Sequence, residues 1–579
     1  MSYQYTPEKN AQIIISLLKA HSIRYVIASP GTTNTALIGS IQRDPFFTIF
    51  SSVDERSAAY LACGLAAETG EAVVISCTGA TASRNYLSGL TEAYYRKLPV
   101  LAITSTQAVS KIGHHVAQVI DRSSIQNDVA RHSVTLPIVK DADDVWDCEI
   151  KVNRAILELR RHGGGPVHIN LPTTYTKPYD VPAIPEYRVI NRITPEDQHP
   201  TLAGRVAVLI GSHKTWTPAE TEALERFAVA NNAPVFCDHT SGYRGQNRLL
   251  FALAAAQEMF ELSSLRPDVL IHIGEITGDY ASLNMAGKQV WRVSEDGEIR
   301  DTFRKLRYVF EMRESGFFNH YANQKSTDTS DYFGQCRDFL EQVRSKIPEV
   351  PLSNIWLASR MAHRIPDGAA IHFGILNSLR AWNFFDLPPT VSSWCNVGGF
   401  GIDGCVSSLI GASLSNPKKL FFGVIGDLAF FYDMNVLGNR HVGSNVRLLI
   451  INNGTGIEFK NYNHHASIFE EDADMYIAAS GHFGKKSSTL VRHYAEDLGF
   501  EYISATSKHD FESIIQSFTS PSATGRSIIL EVFTSAIDES NALKLMSRIE
   551  RSDNRGAKTI FKNLIGQKGI ELIKKTIAK

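Results

Sequence analysis

Leu-Phe-Phe-Gly-Val-Ile-Gly-Asp, residues 420–427, is an apolar stretch that ends on an acid, Asp427. A second apolar stretch, Val446–Ile451, is followed by Asn452-Asn453-Gly454, so 26 residues separate Asp427 from Asn453. One helix and one strand fill that distance, as they do between neighbouring strands of a parallel sheet. We therefore expect the two side chains to meet at the carboxyl edge of a sheet, where open α/β folds bind ligands.

Oxygen ligands at this edge suit a hard divalent cation. A carboxylate oxygen of Asp427, the amide oxygen of Asn453 and the main-chain carbonyl of Thr455 would form one face of an octahedron around Mg²⁺. Two diphosphate oxygens and a water would complete it. Asn-Asn-Gly is also a strong turn signal, so a plain turn is the competing interpretation.

Apolar runs alternate with amphipathic stretches over most of the 579 residues, which predicts an α/β protein with mainly parallel sheets covered by helices on both faces. The expected strands in the first part are Tyr25–Ala28, Val73–Cys77 and Val100–Thr104. Helices are expected over Ala11–Leu18 and Ser57–Ala67, and a further helix over Leu428–Leu437.

The bulk composition limits the function classes. Hydrophobic residues make up 43% and charged residues 21%, and the net charge is −1, so nucleic acid is not an expected partner. No run of 18 apolar residues predicts a transmembrane segment, and the N-terminus lacks an apolar signal core. Seven scattered cysteines favour a reducing compartment, so we expect a cytoplasmic protein.

An acidic turn, Val53-Asp54-Glu55-Arg56, opens an alanine-rich helix early in the chain. For an isolated glutamate, favourable interaction with the helix N-terminus would be explanation enough. Glu55 gains a more specific role only in combination with the motifs of the last third.

Three motifs resemble one family. They are Asp54-Glu55-Arg56-Ser57-Ala58-Ala59, Gly401-Ile402-Asp403-Gly404 and Gly-Asp-Leu-Ala-Phe-Phe-Tyr-Asp at 426–433. They resemble the menaquinone-pathway SEPHCHC synthases, which belong to the larger thiamine diphosphate superfamily of acetolactate synthase and pyruvate decarboxylase. The likeness extends to about residue 540.

The resemblance implies a domain order. Residues 1–185 would be a pyrimidine-binding domain, 195–345 a middle Rossmann-like domain and 350–540 a diphosphate-binding domain similar to the first. No Gly-x-Gly-x-x-Gly follows a strand in the middle part, so a nucleotide site is not expected there. Residues 541–579 would form a basic amphipathic tail, either docked on the body or meeting a partner or a membrane surface.

The resemblance also assigns cofactor residues. Glu55 would hydrogen-bond the cofactor's aminopyrimidine ring and promote deprotonation of the thiazolium carbon. Ile402 would bend the cofactor, and the carbonyl of Phe400 would accept from its aminopyrimidine nitrogen. The diphosphate and Mg²⁺ would lie against the remaining set: Gly426, Asp427, Leu428, Asn453 and Thr455.

The chain departs from the SEPHCHC synthases at three substrate arginines. Those positions hold Thr33, Trp382 and Val397, whereas Ser378 matches the family and Arg380 stands near one of the lost positions. Loss of three guanidinium groups removes planar carboxylate recognition, which favours a small or weakly charged donor acid.

Histidine-rich segments supply further candidates. Gly113-His114-His115 resembles the His-His pair of pyruvate decarboxylase-like enzymes, and Gln118 matches a glutamine near the substrate in SEPHCHC and acetolactate synthases. Histidine titrates near neutral pH and suits proton handling, although two adjacent histidines are also common on surface loops. Glu458 with His464-His465 forms a second candidate cluster facing the substrate.

Together these features predict an enzyme that uses thiamine diphosphate and Mg²⁺ to decarboxylate a small 2-oxo acid and passes the resulting acyl carbanion to an acceptor carbonyl. The alternatives are a decarboxylase that releases an aldehyde, a SEPHCHC synthase-like transferase, and a non-catalytic cofactor-binding regulatory protein. The family builds active sites between subunits, so a homodimer or homotetramer is implied.

Overall fold

The computed structural model describes residues 4–122, 124–324, 328–483, 486–522 and 525–551. It contains three sheets, of six, seven and six strands. The chain divides into two compact units. The first comprises Met1–Thr194 with Gly297–Val309, and the second comprises Pro195–Asp296 with the described residues from Phe310 onward. The predicted domain limits remain predictions, and most of the predicted basic tail lies outside the described residues.

The first sheet is entirely parallel, with the strand order β2-β1-β3-β4-β6-β5. Its strands are β1 (Tyr25–Ala28), β2 (Thr48–Ser51), β3 (Val73–Cys77), β4 (Val100–Thr106), β5 (His132–Thr135) and β6 (Val167–Pro172). Its helices are α1 (Lys9–Ala20), α2 (Thr35–Ile41), α3 (Glu55–Thr69), α4 (Thr81–Asn85), α5 (Leu87–Tyr95) and α6 (Ala142–Glu158).

Helices cover both faces of this sheet because its strands are apolar on both sides. Val74 and Leu101 pack in one core with α1 and α6, whereas Val73 and Ile75 pack in the other with α3 and α5. Buried parallel strands of this kind are continuous apolar runs in the sequence, which is why they were predictable.

The middle sheet has the order β10-β9-β8-β11-β12-β13-β7. Its strands are β7 (Asn191–Ile193), β8 (Val206–Ile210), β9 (Val235–Cys237), β10 (Arg248–Leu250), β11 (Val269–Ile273), β12 (Gln289–Ser294) and β13 (Leu306–Glu311). The helices of this part of the chain are α7 (Pro218–Ala230), α8 (Ala252–Ala255), α9 (Glu314–Ala322) and α10 (Tyr332–Ser345). The five strands from β10 to β12 are parallel.

The third sheet is also entirely parallel, with the order β15-β14-β16-β17-β19-β18. Its strands are β14 (Ala370–Phe373), β15 (Ser392–Cys395), β16 (Phe421–Gly426), β17 (Val446–Asn452), β18 (Glu501–Ala505) and β19 (Ile528–Phe533). Its helices are α11 (Asn354–Met361), α12 (Asn377–Trp382), α13 (Cys405–Ser413), α14 (Asp427–Asp433), α15 (Ala473–Tyr476), α16 (Leu490–Asp497), α17 (Lys508–Phe518) and α18 (Ala536–Met546).

The first and third sheets share one topology. Numbered in chain order within each sheet, both read 2-1-3-4-6-5. The predicted similarity of the two parts is therefore confirmed at the level of strand order. With three mainly parallel sheets and covering helices, the α/β fold class predicted from the sequence is confirmed as well.

One predicted helix differs from the structure. The sequence indicated a helix over Leu428–Leu437, but α14 begins at Asp427 and ends at Asp433, and a 3₁₀ helix follows at Met434–Gly438. The geometry changes where the Asp433 carboxylate accepts hydrogen bonds from the Ser407 main-chain nitrogen at 2.6 Å and hydroxyl at 2.5 Å. This long-range contact with α13 is not readable from local periodicity. Among the described residues, no helix combines the length and apolar character needed to cross a membrane.

Candidate active site

The strands β16 and β17 bring Asp427 and the Asn452-Asn453-Gly454 turn together. Gly426, the last residue of β16, is in register with Ile451 of β17, so the segments that follow leave the sheet side by side. The Gly454 main-chain nitrogen donates to Asp427 Oδ2 at 3.0 Å. Gly454 has a φ of +73°, a conformation that glycine adopts without a steric penalty.

Asp427 is a buried carboxylate, with 5% of its surface exposed. Burial raises its pKa to about 6, and the nearby charge of Glu531 adds to the effect. A carboxylate held in such a place gains stability from a cation, since main-chain hydrogen bonds offset only part of the desolvation of its negative charge. The donor chemistry at this edge therefore fits Mg²⁺.

The other two predicted magnesium ligands, Asn453 and Thr455, lie two residues apart in the loop after β17. Asn453 Oδ1 accepts from the Thr455 main-chain nitrogen at 3.2 Å, and the Thr455 hydroxyl donates to the carbonyl of Ala478 at 2.9 Å. These bonds fix a tight loop next to Asp427. Carboxylate, amide and carbonyl oxygens are the ligands that Mg²⁺ prefers, and the remaining positions would go to phosphate and water.

A buried acid supports this loop from behind, and sequence reasoning missed it. Glu531 in β19 is fully buried; its Oε1 accepts from Asn452 Nδ2 at 2.6 Å and its Oε2 from the Tyr502 hydroxyl at 2.7 Å. Burial raises the pKa of Glu531. A charged residue in the apolar run Ser527–Phe533 was the only available signal.

Glu55 is the first residue of α3, as expected from the acidic turn. The helix is capped by its neighbour Asp54, whose Oδ1 accepts from the Ser57 main-chain nitrogen at 3.0 Å. Glu55 is half-buried, and its Oε2 accepts from Asn85 Nδ2 at 3.2 Å. Because Asp54 caps the helix, Glu55 is not needed as the cap, and the described partner of its carboxylate is the Asn85 amide.

The segment with His114, His115 and Gln118 is an exposed loop after β4. His115 and Gln118 have φ values of +55° and +64°, which are uncommon for residues other than glycine. The Gln118 carbonyl lies 3.0 Å from the place where a Cβ of Gly79 would stand, so the loop packs closely against the end of β3.

Thr33 is buried at the carboxyl edge of the first sheet. Its hydroxyl lies 2.6 Å from that of Thr78, donates to the carbonyl of Ser105 at 3.0 Å, and accepts from the Gly79 main-chain nitrogen at 3.2 Å. These bonds hold the Thr33 side chain in the structure, and a hydroxyl stands where the resemblance to the SEPHCHC synthases places an arginine.

Phe400 and Ile402 precede α13. Phe400 has a φ of +54°, and its ring lies 5.7 Å from that of Tyr280. Ile402 is half-buried and packs against the core beneath α13. The unusual backbone at Phe400 turns its peptide out of the regular path, consistent with a carbonyl used for binding.

Ser378 lies in α12 in a buried polar network. Its hydroxyl accepts from Asn354 Nδ2 at 3.3 Å, and Asn354 Oδ1 accepts from Trp382 Nε1 at 3.2 Å. The Asn354 main-chain nitrogen donates to both carboxylate oxygens of Glu539 at 3.0 Å. Burial raises the pKa of Glu539 to about 7. Sequence reasoning missed Glu539, because it lies 185 residues from its partner.

Arg380, Glu458 and His464 line one cavity of about 550 Å³ in the second unit. Arg380 Nη1 donates to Glu458 Oε2 and Nη2 to Oε1, each over 2.9 Å. His464 Nδ1 accepts from the Ala466 main-chain nitrogen at 3.1 Å, so this ring caps a 3₁₀ turn. The three predicted substrate residues are thus neighbours, although two are bonded to each other.

Two comparisons with known proteins give matches to thiamine-dependent enzymes. Residues 8–125 match the family model for the thiamine pyrophosphate enzyme N-terminal TPP binding domain. The chain is 29% identical to the 2-succinyl-5-enolpyruvyl-6-hydroxy-3-cyclohexene-1-carboxylate (SEPHCHC) synthase of Bacteroides fragilis over 575 residues, which covers 93% of this chain and 98% of the relative.

Two further synthases with the same name are similar. That of Bacteroides thetaiotaomicron is 28% identical over 561 residues and that of Phocaeicola vulgatus 27% over 574, and each match covers 93% of this chain and 98% of the relative. The chain is therefore related to the thiamine diphosphate-dependent enzymes and, over most of its length, to the SEPHCHC synthases.

Proposed function

We propose that this protein decarboxylates a 2-oxo acid with thiamine diphosphate and Mg²⁺, and transfers the remaining acyl group to an acceptor carbonyl. The observation that carries the proposal is the buried Asp427 held against the Asn453–Thr455 loop at the end of two parallel strands. When bound, the cofactor would supply the carbon nucleophile that makes loss of CO₂ possible.

The residues of this chain would bind, orient and move protons. Asp427, Asn453 and the carbonyl of Thr455 would hold Mg²⁺, with Gly426 and Leu428 beside the diphosphate. Phe400 and Ile402 would orient the cofactor. Glu55 would exchange a proton with the aminopyrimidine ring, a role for which its carboxylate is free of capping duty.

The exposed loop would manage the proton at the reacting carbon. An imidazole ring has one nitrogen that can donate a proton and one that can accept it, so His114 and His115 would carry out this transfer. Gln118 would hydrogen-bond the substrate. A homodimer or homotetramer, with active sites completed by a second subunit, is part of this proposal.

A second candidate is the reaction for which the relatives are named. Similarity over 93% of the chain favours it. Against it, Trp382 and Val397 are buried and Thr33 is engaged in a hydroxyl network, so none of the three substrate positions offers a cation. The product after which these relatives are named carries succinyl and carboxylate groups, which call for cationic partners.

The test is a screen of 2-oxo acids for CO₂ release, with and without aldehyde and ketone acceptors, on wild type and Glu55→Gln. We expect the variant to bind the cofactor but lose release by about 10²–10⁴-fold. Asp54→Asn is the matched control, since it alters the adjacent capping acid and should keep activity. Full activity in Glu55→Gln would refute the assignment.

A further inference from the structure

Arg122 is a buried arginine at the carboxyl edge of the first sheet that the proposed mechanism does not use. Only 6% of its surface is exposed. Its Nη2 donates to Asn170 Oδ1 at 2.6 Å and to the carbonyl of Ser105 at 3.3 Å. Asn170 belongs to β6 and Ser105 to β4, so these two strands hold the guanidinium in place.

The rest of this guanidinium has no partner. Its Nε and Nη1 are buried and make no hydrogen bond to any residue that the structure describes. Burial lowers the pKa of Arg122 to about 10, and the positive charge of the neighbouring Arg84 adds to the effect. No carboxylate among the described residues offsets it. A buried cation without a counter-charge is costly, so the site is electrostatically suited to an anion.

Two residues predicted to lie near the substrate, Thr33 and Gln118, belong to the same strand ends as this cation. The Ser105 carbonyl that accepts from Arg122 also accepts from the hydroxyl of Thr33. The same carbonyl lies 3.3 Å, and that of Gln118 3.0 Å, from the place where a Cβ of Gly79 would stand. Arg122, Thr33 and the Gln118 loop therefore meet around one point at the ends of β3 and β4.

We propose that Arg122 recognises a carboxylate of the substrate, in place of the arginine that the SEPHCHC synthases carry at the position of Thr33. The inference rests on the proposed function and names the substrate group that this edge takes. Nε and Nη1 are buried, so the anion reaches them only when the residues around them move. Hydrogen bonds to a charged group are stronger than neutral ones, and here they also neutralise a buried charge.

The test is calorimetric titration of the full-length protein with pyruvate and with pyruvamide, its neutral isostere, without added thiamine diphosphate or Mg²⁺. Without cofactor there is no turnover. We expect pyruvate to bind at least about tenfold more weakly to Arg122→Gln than to wild type, with pyruvamide unaffected. Arg84→Gln, which removes an exposed charge nearby, should bind pyruvate like wild type.

Equal pyruvate affinity in Arg122→Gln and wild type, an equal loss in Arg84→Gln, or no pyruvate binding to wild type would overturn the proposal. Thermal unfolding adds a second measurement. Without ligand, Arg122→Gln should unfold no earlier than wild type, because it removes an uncompensated charge, and pyruvate should raise the Tm of wild type only. A purely structural arginine would instead lower the Tm of the variant.

These readouts separate the two proposals. If Arg122-dependent pyruvate binding is present but Mg²⁺-dependent cofactor binding is absent, the anion site stands and the proposed enzymatic function fails. If the cofactor binds and CO₂ is released but Arg122→Gln binds pyruvate normally, the anion site fails and the function stands.

Discussion

The guanidinium of Arg380 is held by Glu458 through two parallel hydrogen bonds, each 2.9 Å long. Both side chains are mostly buried, with 26% and 21% of their surfaces exposed. Asn377 accepts from the same arginine at 3.2 Å. Arg380, which stands near the lost position at Trp382, therefore has both terminal nitrogens occupied and offers no free pair of donors to a second carboxylate.

Glu458→Gln should change donor preference. Removing the negative partner frees Arg380 for a dicarboxylic donor, so the ratio of kcat/KM for 2-oxoglutarate over pyruvate should rise about tenfold. Steady-state CO₂ release measures both values. Glu471→Gln, an exposed acid in the next segment, is the control and should leave the ratio unchanged. An unaltered ratio in Glu458→Gln would show that the ion pair does not set specificity.

Glu531→Ala should destabilise the fold and loosen the metal loop. The change leaves the amide of Asn452 and the hydroxyl of Tyr502 without their acceptor, which costs about 1–3 kcal/mol for each buried group. Urea unfolding gives the loss, and Mg²⁺-dependent cofactor affinity should fall with it. Tyr502→Phe, which removes one of the two bonds, should show a smaller loss of stability and near-normal affinity. If Glu531→Ala binds the cofactor with wild-type affinity, Glu531 does not support the metal loop.

Glu539 should give the fold a measurable pH dependence. Its pKa is raised to about 7 by burial, so the folded state binds the proton more tightly than the unfolded state. Its contribution is present in full below the ordinary glutamate range and is lost as pH rises through about 7. Relative to Glu539→Gln, wild type should lose about 1–3 kcal/mol of unfolding free energy between pH 4.5 and 7.5. Urea unfolding at stepped pH measures the difference, and parallel curves for the two proteins would contradict it.

The sheets were predictable because buried parallel strands are apolar runs that end in Gly, Asp or Asn. Phe421–Gly426 and Val446–Asn452 lie where the sequence placed them, and the turn after β17 contacts Asp427 through the Gly454 main-chain nitrogen, whereas Asn453 Oδ1 accepts from the Thr455 main-chain nitrogen. The order of the strands alone brings these two segments to the same edge of the sheet, so their spacing in the sequence was sufficient to predict that they are neighbours.

Partner choice was not predictable. Arg380 and Glu458 are 78 residues apart in the sequence. Arg122 stands out only because two of its own nitrogens, Nε and Nη1, are buried without a hydrogen-bond partner among the described residues. Such contacts depend on which side chains the packed elements place within a few ångströms, and a single sequence carries no periodic signal for them. The roles of the site residues, the homodimer or homotetramer and the cytoplasmic location stay predictions.

The central claim is that Asp427 anchors a magnesium-dependent cofactor site. Calorimetric titration of thiamine diphosphate into the metal-stripped protein, with and without Mg²⁺, tests it most directly. We predict binding only with Mg²⁺, its loss in Asp427→Ala, and its retention in Asp497→Ala, which changes an exposed acid of the same unit. Absence of binding to folded wild type in both conditions, or undiminished binding to Asp427→Ala, would contradict the account.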